Sequence, residues 1–326
     1  MPITKISLNN FRCFKNLELS LSPGINFFFG SNGSGKTSIL ESVFIFSSGK
    51  SFKSSNLTSL INYDNDKFTL KGFDNKKGYI VEIEKSKNKT ISISLNNNKT
   101  NTNKLVKEFP CTPIHNNTFS FADATPDFRR KLVDRSIFIA EDNFSKTWFS
   151  FYRSLRQRNF LLKNNRISDI YSWNAKLADE AEKLTKYRTD FFEKTLNEFY
   201  LLINLLKPED VFDFFNFIKI EFSQGWNPEK SYLDVLNENK DIDIKRRSTI
   251  SGPHKSDIKF FINDIDARQI LSRGEQKFFS IIWSCAQHEV LKKYYKIDAT
   301  LLIDDIKSEL DERVFKLFSD LLNHIN

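Results

Sequence analysis

A glycine-rich loop between a predicted strand and a predicted helix constrains the fold of this chain more than any other feature. Residues 30–37 read Gly-Ser-Asn-Gly-Ser-Gly-Lys-Thr and match the P-loop pattern G-x-x-x-x-G-K-[ST]. The apolar segment 24–30 predicts a buried strand, and residues 37–46 carry apolar side chains at helical spacing. A strand, a loop and a helix in this order form the context that phosphate binding needs. The sequence therefore predicts an α/β fold that binds a nucleotide.

The residue types of this loop suit phosphate binding. Glycine lets backbone N–H groups approach phosphates closely, and the N-terminus of the following helix adds positive potential. Lys36 is expected to hold the β- and γ-phosphates, and Thr37 to ligate Mg²⁺. A tight glycine turn that binds nothing is the alternative. The nucleotide-binding residues predicted here are Gly30, Ser31, Asn32, Gly33, Ser34, Gly35, Lys36, Thr37 and Ser38.

An apolar stretch ending in two carboxylates lies far downstream, at residues 299–305. The sequence Ala-Thr-Leu-Leu-Ile-Asp-Asp predicts a strand with the Walker B pattern. Because Mg²⁺ prefers oxygen ligands, Asp304 is expected to hold the ion, directly or through water, and Asp305 to orient or activate an attacking water. ATP and Mg²⁺ are thus the predicted cofactors, with Lys36, Asp304 and Asp305 as the predicted catalytic residues.

A third element, at residues 271–277, reads Leu-Ser-Arg-Gly-Glu-Gln-Lys and precedes a segment that predicts an amphipathic helix. Alone, it is a capped helix start. A P-loop, an L-S-x-G-[QE] segment and a Walker B strand in this order are the layout of ABC-class ATPases, which SMC proteins share. In that class the serine and the helix N-terminus of one subunit bind the γ-phosphate held by the other. The predicted nucleotide contacts of this element are Ser272, Arg273, Gly274 and Glu275.

The rest of the chain divides into β-rich and helical parts. Residues 67–95 contain three period-2 runs typical of an antiparallel meander, and the Asn/Lys tract 96–104 indicates a solvated hairpin tip rather than a recognition element. Residues 128–163 and 170–206 have helical periodicity, and strand character returns at residues 257–262. We predict a discontinuous ATPase lobe at residues 1–122 and 246–326, and an inserted helical lobe at residues 123–245.

The charge balance favours an anionic partner. The chain has 49 basic and 41 acidic residues, a net charge of +8. Residues 125–166 contain ten basic and four acidic residues, a net charge of +6. This concentration predicts phosphate contacts with DNA, and a solvated helical face of mixed charge is the alternative. The predicted DNA-binding residues are Arg129, Arg130, Arg153 and Arg156.

Cysteine usage and hydropathy indicate the compartment. Cys13, Cys111 and Cys285 are far apart and form no C-x-x-C pair, so neither a disulfide framework nor a zinc site is expected. No apolar run approaches the roughly 20 residues of a membrane span. We expect a cytoplasmic protein that has no membrane partner.

Together these motifs resemble the bacterial RecF family of DNA recombination and repair proteins, over essentially the whole chain. The resemblance implies an SMC-like, ABC-class P-loop ATPase head with an antiparallel β meander and an inserted helical lobe. It also implies weak ATP hydrolysis, binding of double-stranded and single-stranded or gapped DNA, and an ATP-dependent homodimer. The implied partners are RecR and, through it, RecO and RecA, at single-strand gaps and stalled replication. The segments that carry the resemblance are residues 8–12, 30–37, 49–53, 129–134, 152–162, 252–254, 271–277 and 304–311.

Carried over by position, the resemblance implies that Arg12 touches nucleotide and that Ser308 and Asp311 form a loop across the dimer interface. It places Arg129 and Arg130 at the entrance of the helical lobe. The chain departs from the family at residues 113–116, where Pro-Ile-His-Asn replaces a proline followed by an acidic residue, and at Glu275 of the signature. After Asp311 one more helix fits before Asn326, whereas the family continues into a further strand and a switch region. We therefore expect a shortened C-terminus.

Three other classes remain as alternatives. A transporter-type ABC ATPase is disfavoured by the basic helical segment and the Gly-Pro-His element at residues 252–254. An SMC-like or nuclease-coupled ATPase would need a longer coiled coil or a further carboxylate cluster. A degenerate nucleotide-binding module without hydrolysis stays open.

Overall fold

The computed structural model describes residues 3–74, 78–115, 118, 121–305 and 312–325. The chain divides into two compact units. The first comprises residues 1–118, 291–310 and 322–326, and the second comprises residues 119–290 and 311–321. This division groups residues 246–290 with the helical part of the chain. The predicted boundaries of the ATPase lobe and the helical lobe stay a prediction.

The first unit contains a six-stranded antiparallel sheet. Leu8 of the first strand faces Leu70, and Leu70 faces Ile83, so alternate apolar side chains enter one core. The predicted meander is confirmed. Asn96 and Asn97 link the last two strands with positive φ angles of 48° and 64°, as expected for a tight hairpin turn. The strands are β1 (Ile3–Phe11), β2 (Phe14–Ser20), β3 (Lys67–Asp74), β4 (Tyr79–Ser86), β5 (Ser92–Leu95) and β6 (Asn98–Lys99), in the order β2-β1-β3-β4-β5-β6.

A parallel pair of strands and two helices complete the first unit. The pair joins β7 (Cys111–Ile114) to β11 (Thr300–Ile303), so the polar residues that follow both strands lie at one edge. The helices are α1 (Lys36–Ser48) and α2 (Thr102–Glu108). The predicted helix after the glycine-rich loop is therefore confirmed. Val43 and Phe46 of α1 are buried in the same cluster as the sheet residues.

The predicted buried strand at residues 24–30 is wrong. Residues 25–30 belong to neither a helix nor a strand, and Phe27 and Phe29 are 77% and 93% exposed. An apolar sequence favours a strand only where a neighbouring strand supplies hydrogen bonds. In the described part of the chain, β7 and β11 form a sheet of two strands that residues 25–30 do not join.

The second unit is dominated by three long helices, and the predicted helical segments are confirmed. Thr125 caps the first helix by accepting a hydrogen bond from the Phe128 N–H, and Pro126 opens it. A three-stranded antiparallel sheet has the order β10-β9-β8. The elements are α3 (Pro126–Ala140), α4 (Phe144–Lys163), α5 (Ile170–Leu206), β8 (Ile218–Ser223), α6 (Tyr232–Glu238), α7 (Lys240–Arg246), β9 (Asp257–Ile262), β10 (Ile265–Asp266) and α8 (Ala267–Ile270). Two further helices, α9 (Arg273–Tyr295) and α10 (Glu312–Ile325), contain residues of both units.

Trp283 of α9 lies at the centre of the second unit's aromatic core. Its ring centroid is 5.6 Å from that of Phe199 and 5.9 Å from those of Phe121 and Phe260. Residues 278–290 are all buried, so α9 is covered on every side over this stretch. The predicted helix is confirmed, but it is not amphipathic here, because the polar side chains between its apolar positions are buried too.

None of the described helices is both long enough and apolar enough to cross a membrane.

Candidate functional site

The glycine-rich loop leads directly into α1, and its exposed residues 30–34 are accessible to a ligand. Gly35 precedes the first helical residue and has a φ of 95°, a conformation that favours glycine. A Cβ at Gly35 would overlap the ring of Phe14 and the sulfur of Cys13. The turn between β1 and β2 therefore fixes the start of α1, where a helix N-terminus meets the predicted phosphates.

The Lys36 side chain lies over the glycine-rich loop that precedes it in the sequence. Its ammonium group donates hydrogen bonds to the carbonyl oxygens of Gly30 and Ser31, at 2.8 and 2.9 Å. Lys36 and Ser34 also line an open cavity of about 370 Å³, together with residues 27–31. The lysine that the motif assigns to phosphate binding thus lies at the cavity with its charged group directed over the loop.

The P-loop threonine meets the acidic strand end. Thr37 Oγ1 donates a hydrogen bond of 3.0 Å to Asp304 Oδ1, although 267 positions separate the two residues in the sequence. The pairing of β11 with β7 positions Asp304, whose N–H donates to the Ile114 carbonyl at 2.9 Å. Burial raises the pKa of the Asp304 carboxyl above its ordinary value, while the Thr37 hydrogen bond and the charge of Lys53 act to lower it.

This pair of oxygen donors fits Mg²⁺. The ion takes one or two protein ligands and completes its octahedral shell with phosphate oxygens and water. The described residues hold no group of three or more His, Cys, Asp or Glu side chains that could form a metal site by themselves. Asp305 is exposed and has a φ of 56° at the end of β11.

Arg12 forms a structural contact that the sequence did not indicate. Its guanidinium forms a bidentate ion pair with Glu41 of α1, at 2.8 and 2.9 Å, and the Glu41 carboxylate is also bonded to the Ser51 hydroxyl. Glu41 is buried, whereas the Arg12 side chain is 28% exposed. The guanidinium therefore ties the β1–β2 turn to α1, and part of the Arg12 side chain remains exposed.

Two residues near the site were missed as candidates. The ring of His115 stacks on that of Phe52, with centroids 4.8 Å apart and planes 18° apart. His115 follows β7 as Asp304 follows the neighbouring β11, so both emerge at the same edge of the parallel pair. The sequence signal was the histidine directly after an apolar strand, where we noted only a departure from the family.

The signature segment of the second unit forms a capping box. The Ser272 N–H donates to the Glu275 carboxylate at 2.7 Å, and the Glu275 N–H donates to the Ser272 hydroxyl at 3.4 Å. Residues 272–274 are exposed at this helix start. The glutamate of the signature therefore has a local structural function here. Ser308 and Asp311 lie outside the described residues.

The structure corrects the predicted DNA contact at Arg129. This side chain is 3% exposed, and its guanidinium forms two 2.8 Å bonds to the Asp257 carboxylate and another to the Ala124 carbonyl. A buried, fully paired guanidinium cannot reach a DNA phosphate. Arg130 is largely covered as well, and it donates to the Ser256 carbonyl.

Arg153 and Arg156 lie on the exposed side of α4. The sequence could not separate them from Arg129, because all four arginines occur at helical positions in one basic segment. Both side chains are exposed to solvent, and their contact with DNA stays a prediction.

Comparison with known proteins places these features in a family. The RecF/RecN/SMC N-terminal domain matches residues 2–326. The chain is 33% identical over 327 residues to the DNA replication and repair protein RecF of Actinobacillus succinogenes, covering 99% of this chain and 90% of the relative. The RecF of Mannheimia succiniciproducens is 32% identical over 331 residues, with 100% and 90% coverage.

Solved structures show the same fold. A structure of the recombination mediator protein RecF-ATP in the RecFOR pathway has a TM-score of 0.83 at 24% identity, covering 99% of this chain and 89% of the other. An Smc head bound to the C-terminal winged-helix domain of ScpA has a TM-score of 0.58 at 16% identity, with 99% and 86% coverage. The predicted ATPase-head fold of SMC type is confirmed.

Proposed function

This chain belongs to the RecF family within the RecF/RecN/SMC N-terminal domain proteins, and on that premise we propose that it is an ATP-dependent DNA-binding switch of recombinational repair. The family has a role in DNA replication and repair. The observation that carries the proposal is the hydrogen bond between Thr37 and Asp304, because it joins the two motifs that an ATP and Mg²⁺ site requires.

In this proposal the loop at residues 30–35 wraps the phosphates with its backbone N–H groups, and α1 directs its N-terminus at them. Lys36 exchanges its bonds to loop carbonyls for the β- and γ-phosphate oxygens. Thr37 and Asp304 hold Mg²⁺, which when bound neutralises charge that develops on the phosphates. Asp305 orients or activates the attacking water, and the exposed part of Arg12 contacts the nucleotide.

A second part of the proposal couples ATP to dimerisation. Ser272 and the exposed start of α9 would bind the γ-phosphate held by another copy of the chain, aided by Arg273 and Gly274. The capping box supports this arrangement, because Glu275 already orders the helix start whose N–H groups would face the phosphate. Ser308 and Asp311 would complete the interface.

The proposed partners are RecR and, through it, RecO and RecA, at single-strand gaps and stalled replication in the cytoplasm. One similar structure is that of a recombination mediator protein in the RecFOR pathway, which supports this choice. DNA contact falls to Arg153 and Arg156, with Arg130 at the edge of that surface and Arg129 excluded by its burial.

The ATP part is tested with Lys36→Ala. The side chain bonds only to exposed loop carbonyls, so its removal should leave thermal unfolding unchanged and weaken ATP binding by at least about tenfold. Lys104→Ala is the matched control, because it removes an exposed lysine of α2 that lies outside the P-loop. Titration calorimetry with ATP measures both. Unaltered ATP affinity in a folded Lys36→Ala protein would reject the P-loop assignment.

The dimer part is tested by sedimentation with ATP and with ADP. Only ATP should raise the mass to that of a dimer, and Ser272→Arg should prevent the rise because a long side chain blocks the helix start. Ser272→Ala serves as the milder variant, since it removes the hydroxyl without adding bulk. If the mass is the same with every nucleotide, ATP does not control dimerisation, and the chain would be a nucleotide-binding module without the proposed switch.

A further inference from the structure

The exposed side of α4 carries a pattern that the proposed function does not use fully. All six exposed residues of this helix are basic or phenylalanine, and they follow one another at spacings of three and four. Positions with this spacing share one face of an α-helix. We call this face the α4 stripe, and it consists of Lys146, Phe149, Arg153, Arg156, Phe160 and Lys163.

The α4 stripe contains four basic residues and no acidic residue that could neutralise them. Among the described residues, none of its four cations forms an ion pair. Other exposed cations of the same basic segment do have acidic partners, since Lys131 pairs with Asp127 at 2.6 Å and Arg166 with Asp169 at 2.7 Å. The stripe extends over 18 residues, or about 25 Å of helix. A linear polyanion matches this charge pattern.

The two phenylalanines interrupt the cations with exposed aromatic surface. Phe149 is 52% exposed and Phe160 is 53% exposed. They are eleven residues apart on the same face, which corresponds to about 16 Å. Phe149 contacts Trp148 and Phe138 with centroid distances of 5.1 and 6.4 Å, yet half of it remains in solvent. About half of each ring is therefore accessible to a ligand.

We propose that the α4 stripe binds single-stranded DNA, with the four cations on successive phosphates and the Phe149 and Phe160 rings stacked on bases. The inference rests on the proposed DNA-binding function and adds the surface that holds the single strand and the stacking of its bases on two phenylalanine rings. Cations interleaved with aromatic rings are the composition of single-strand platforms, because every unpaired base offers a π-face. In a duplex those faces are stacked inside, so the rings would gain little from it.

The experiment measures binding of the full chain to a labelled oligothymidylate and to a duplex of the same length by fluorescence anisotropy. Phe149→Ala combined with Phe160→Ala should weaken single-strand binding by at least about fivefold for each ring, and change duplex binding less than twofold. Phe149→Leu with Phe160→Leu should lose nearly as much, because leucine keeps apolar area but cannot stack.

The cations are tested separately. Changing the four cations of the stripe together to Gln should weaken binding of both DNA forms. The slope of log affinity against log salt should fall by up to about 0.7 per lost contact for the single strand. Lys176→Gln with Lys183→Gln and Lys186→Gln is the matched control, since these three lysines lie on the exposed face of neighbouring α5. Phe217→Ala, at a ring 53% exposed outside α4, is the control for the phenylalanines.

Each outcome decides the proposal. Equal losses for duplex and single strand in the alanine variant would overturn the single-strand assignment. Full affinity in folded alanine and glutamine variants would overturn the site and leave the stripe to a ligand such as an acidic protein surface. If the wild-type chain binds neither DNA form, the proposed function fails as well, which separates that failure from failure of the stripe alone. Melting temperatures of all variants establish folding.

Discussion

The two faces of α4 both carry arginine, but the arginines differ in their surroundings and in what they can contact. Arg156 and Arg158 are two residues apart, yet Arg156 is exposed and forms no ion pair with any residue that the structure describes, whereas Arg158 is 1% exposed. Arg158 donates to Asp243 at 2.6 Å, to Thr249 at 2.7 Å and to Asn174 at 2.9 Å. A basic segment is therefore not one electrostatic surface, because burial decides which cations hold the fold and which remain available to a ligand.

The largest effect should separate these two arginines directly. Arg158→Ala leaves the Asp243 carboxylate, itself 1% exposed, without its cation, and should lower the free energy of unfolding by about 3–5 kcal/mol. Arg156→Ala should change it by no more than about 0.5 kcal/mol. Urea unfolding followed by circular dichroism measures both. Similar losses for the two variants would contradict the division of α4 into a structural and a ligand face.

A smaller effect should appear in the pH dependence of the free energy of unfolding, and it arises from a histidine that packs near the buried face of α4. His254 packs near Phe151 of α4 with centroids 6.3 Å apart, and its Nε2 lies 3.0 Å from the Thr249 carbonyl oxygen. Burial lowers the pKa of His254 to about 4, below the ordinary 6.5. Between these values the unfolded chain binds the proton and the folded chain does not, so stability falls as pH falls.

From pH 7 to pH 5 this histidine should cost about 2 kcal/mol of unfolding free energy. Urea unfolding at both pH values tests the wild-type chain and His254→Gln. The variant should lose most of this difference, whatever its stability at pH 7. An unchanged difference in the variant would show that other groups, and not the buried side of α4, produce the pH dependence.

The smallest effect concerns the free energy of unfolding that is lost to charge repulsion on the exposed face of α4. Arg153 and Arg156 are like charges at a spacing of three and repel each other weakly. Arg153→Glu should replace this repulsion with an attraction and raise the free energy of unfolding by about 0.4–1 kcal/mol, less at high salt. The same variant should bind DNA more weakly. A variant that is less stable at low salt would indicate that Arg153 makes contacts the fold needs.

Much of the nucleotide site could be predicted from local sequence. The loop at residues 30–37 and the carboxylate at Asp304 belong to short motifs with fixed neighbours, and the hydrogen bond from Thr37 to Asp304 agrees with their predicted roles. The paired role of Arg12 could not be predicted. It depends on Glu41, which lies 29 positions away and faces Arg12 only once β1 and α1 are packed.

The errors share one physical origin. Residues 24–30 are apolar enough for a strand but lack a partner strand, and residues 278–290 look amphipathic although they are buried on every side. Arg129 looked like a surface charge because Asp257 is 128 positions away. In each case the local pattern is clear, but its meaning depends on neighbours that only the folded chain provides.

The pairing of β7 with β11 has a consequence for biosynthesis. Thr37 leaves the ribosome 267 residues before Asp304, which at about 5–20 residues per second is a delay of roughly 13 to 53 seconds. For most of that time β7 has emerged but has no β11 to pair with, and its hydrogen-bonding edge is open to other chains. A nascent chain therefore carries the whole phosphate loop long before Asp304, the second proposed Mg²⁺ ligand, has been synthesised, and the proposed site can form only late in synthesis.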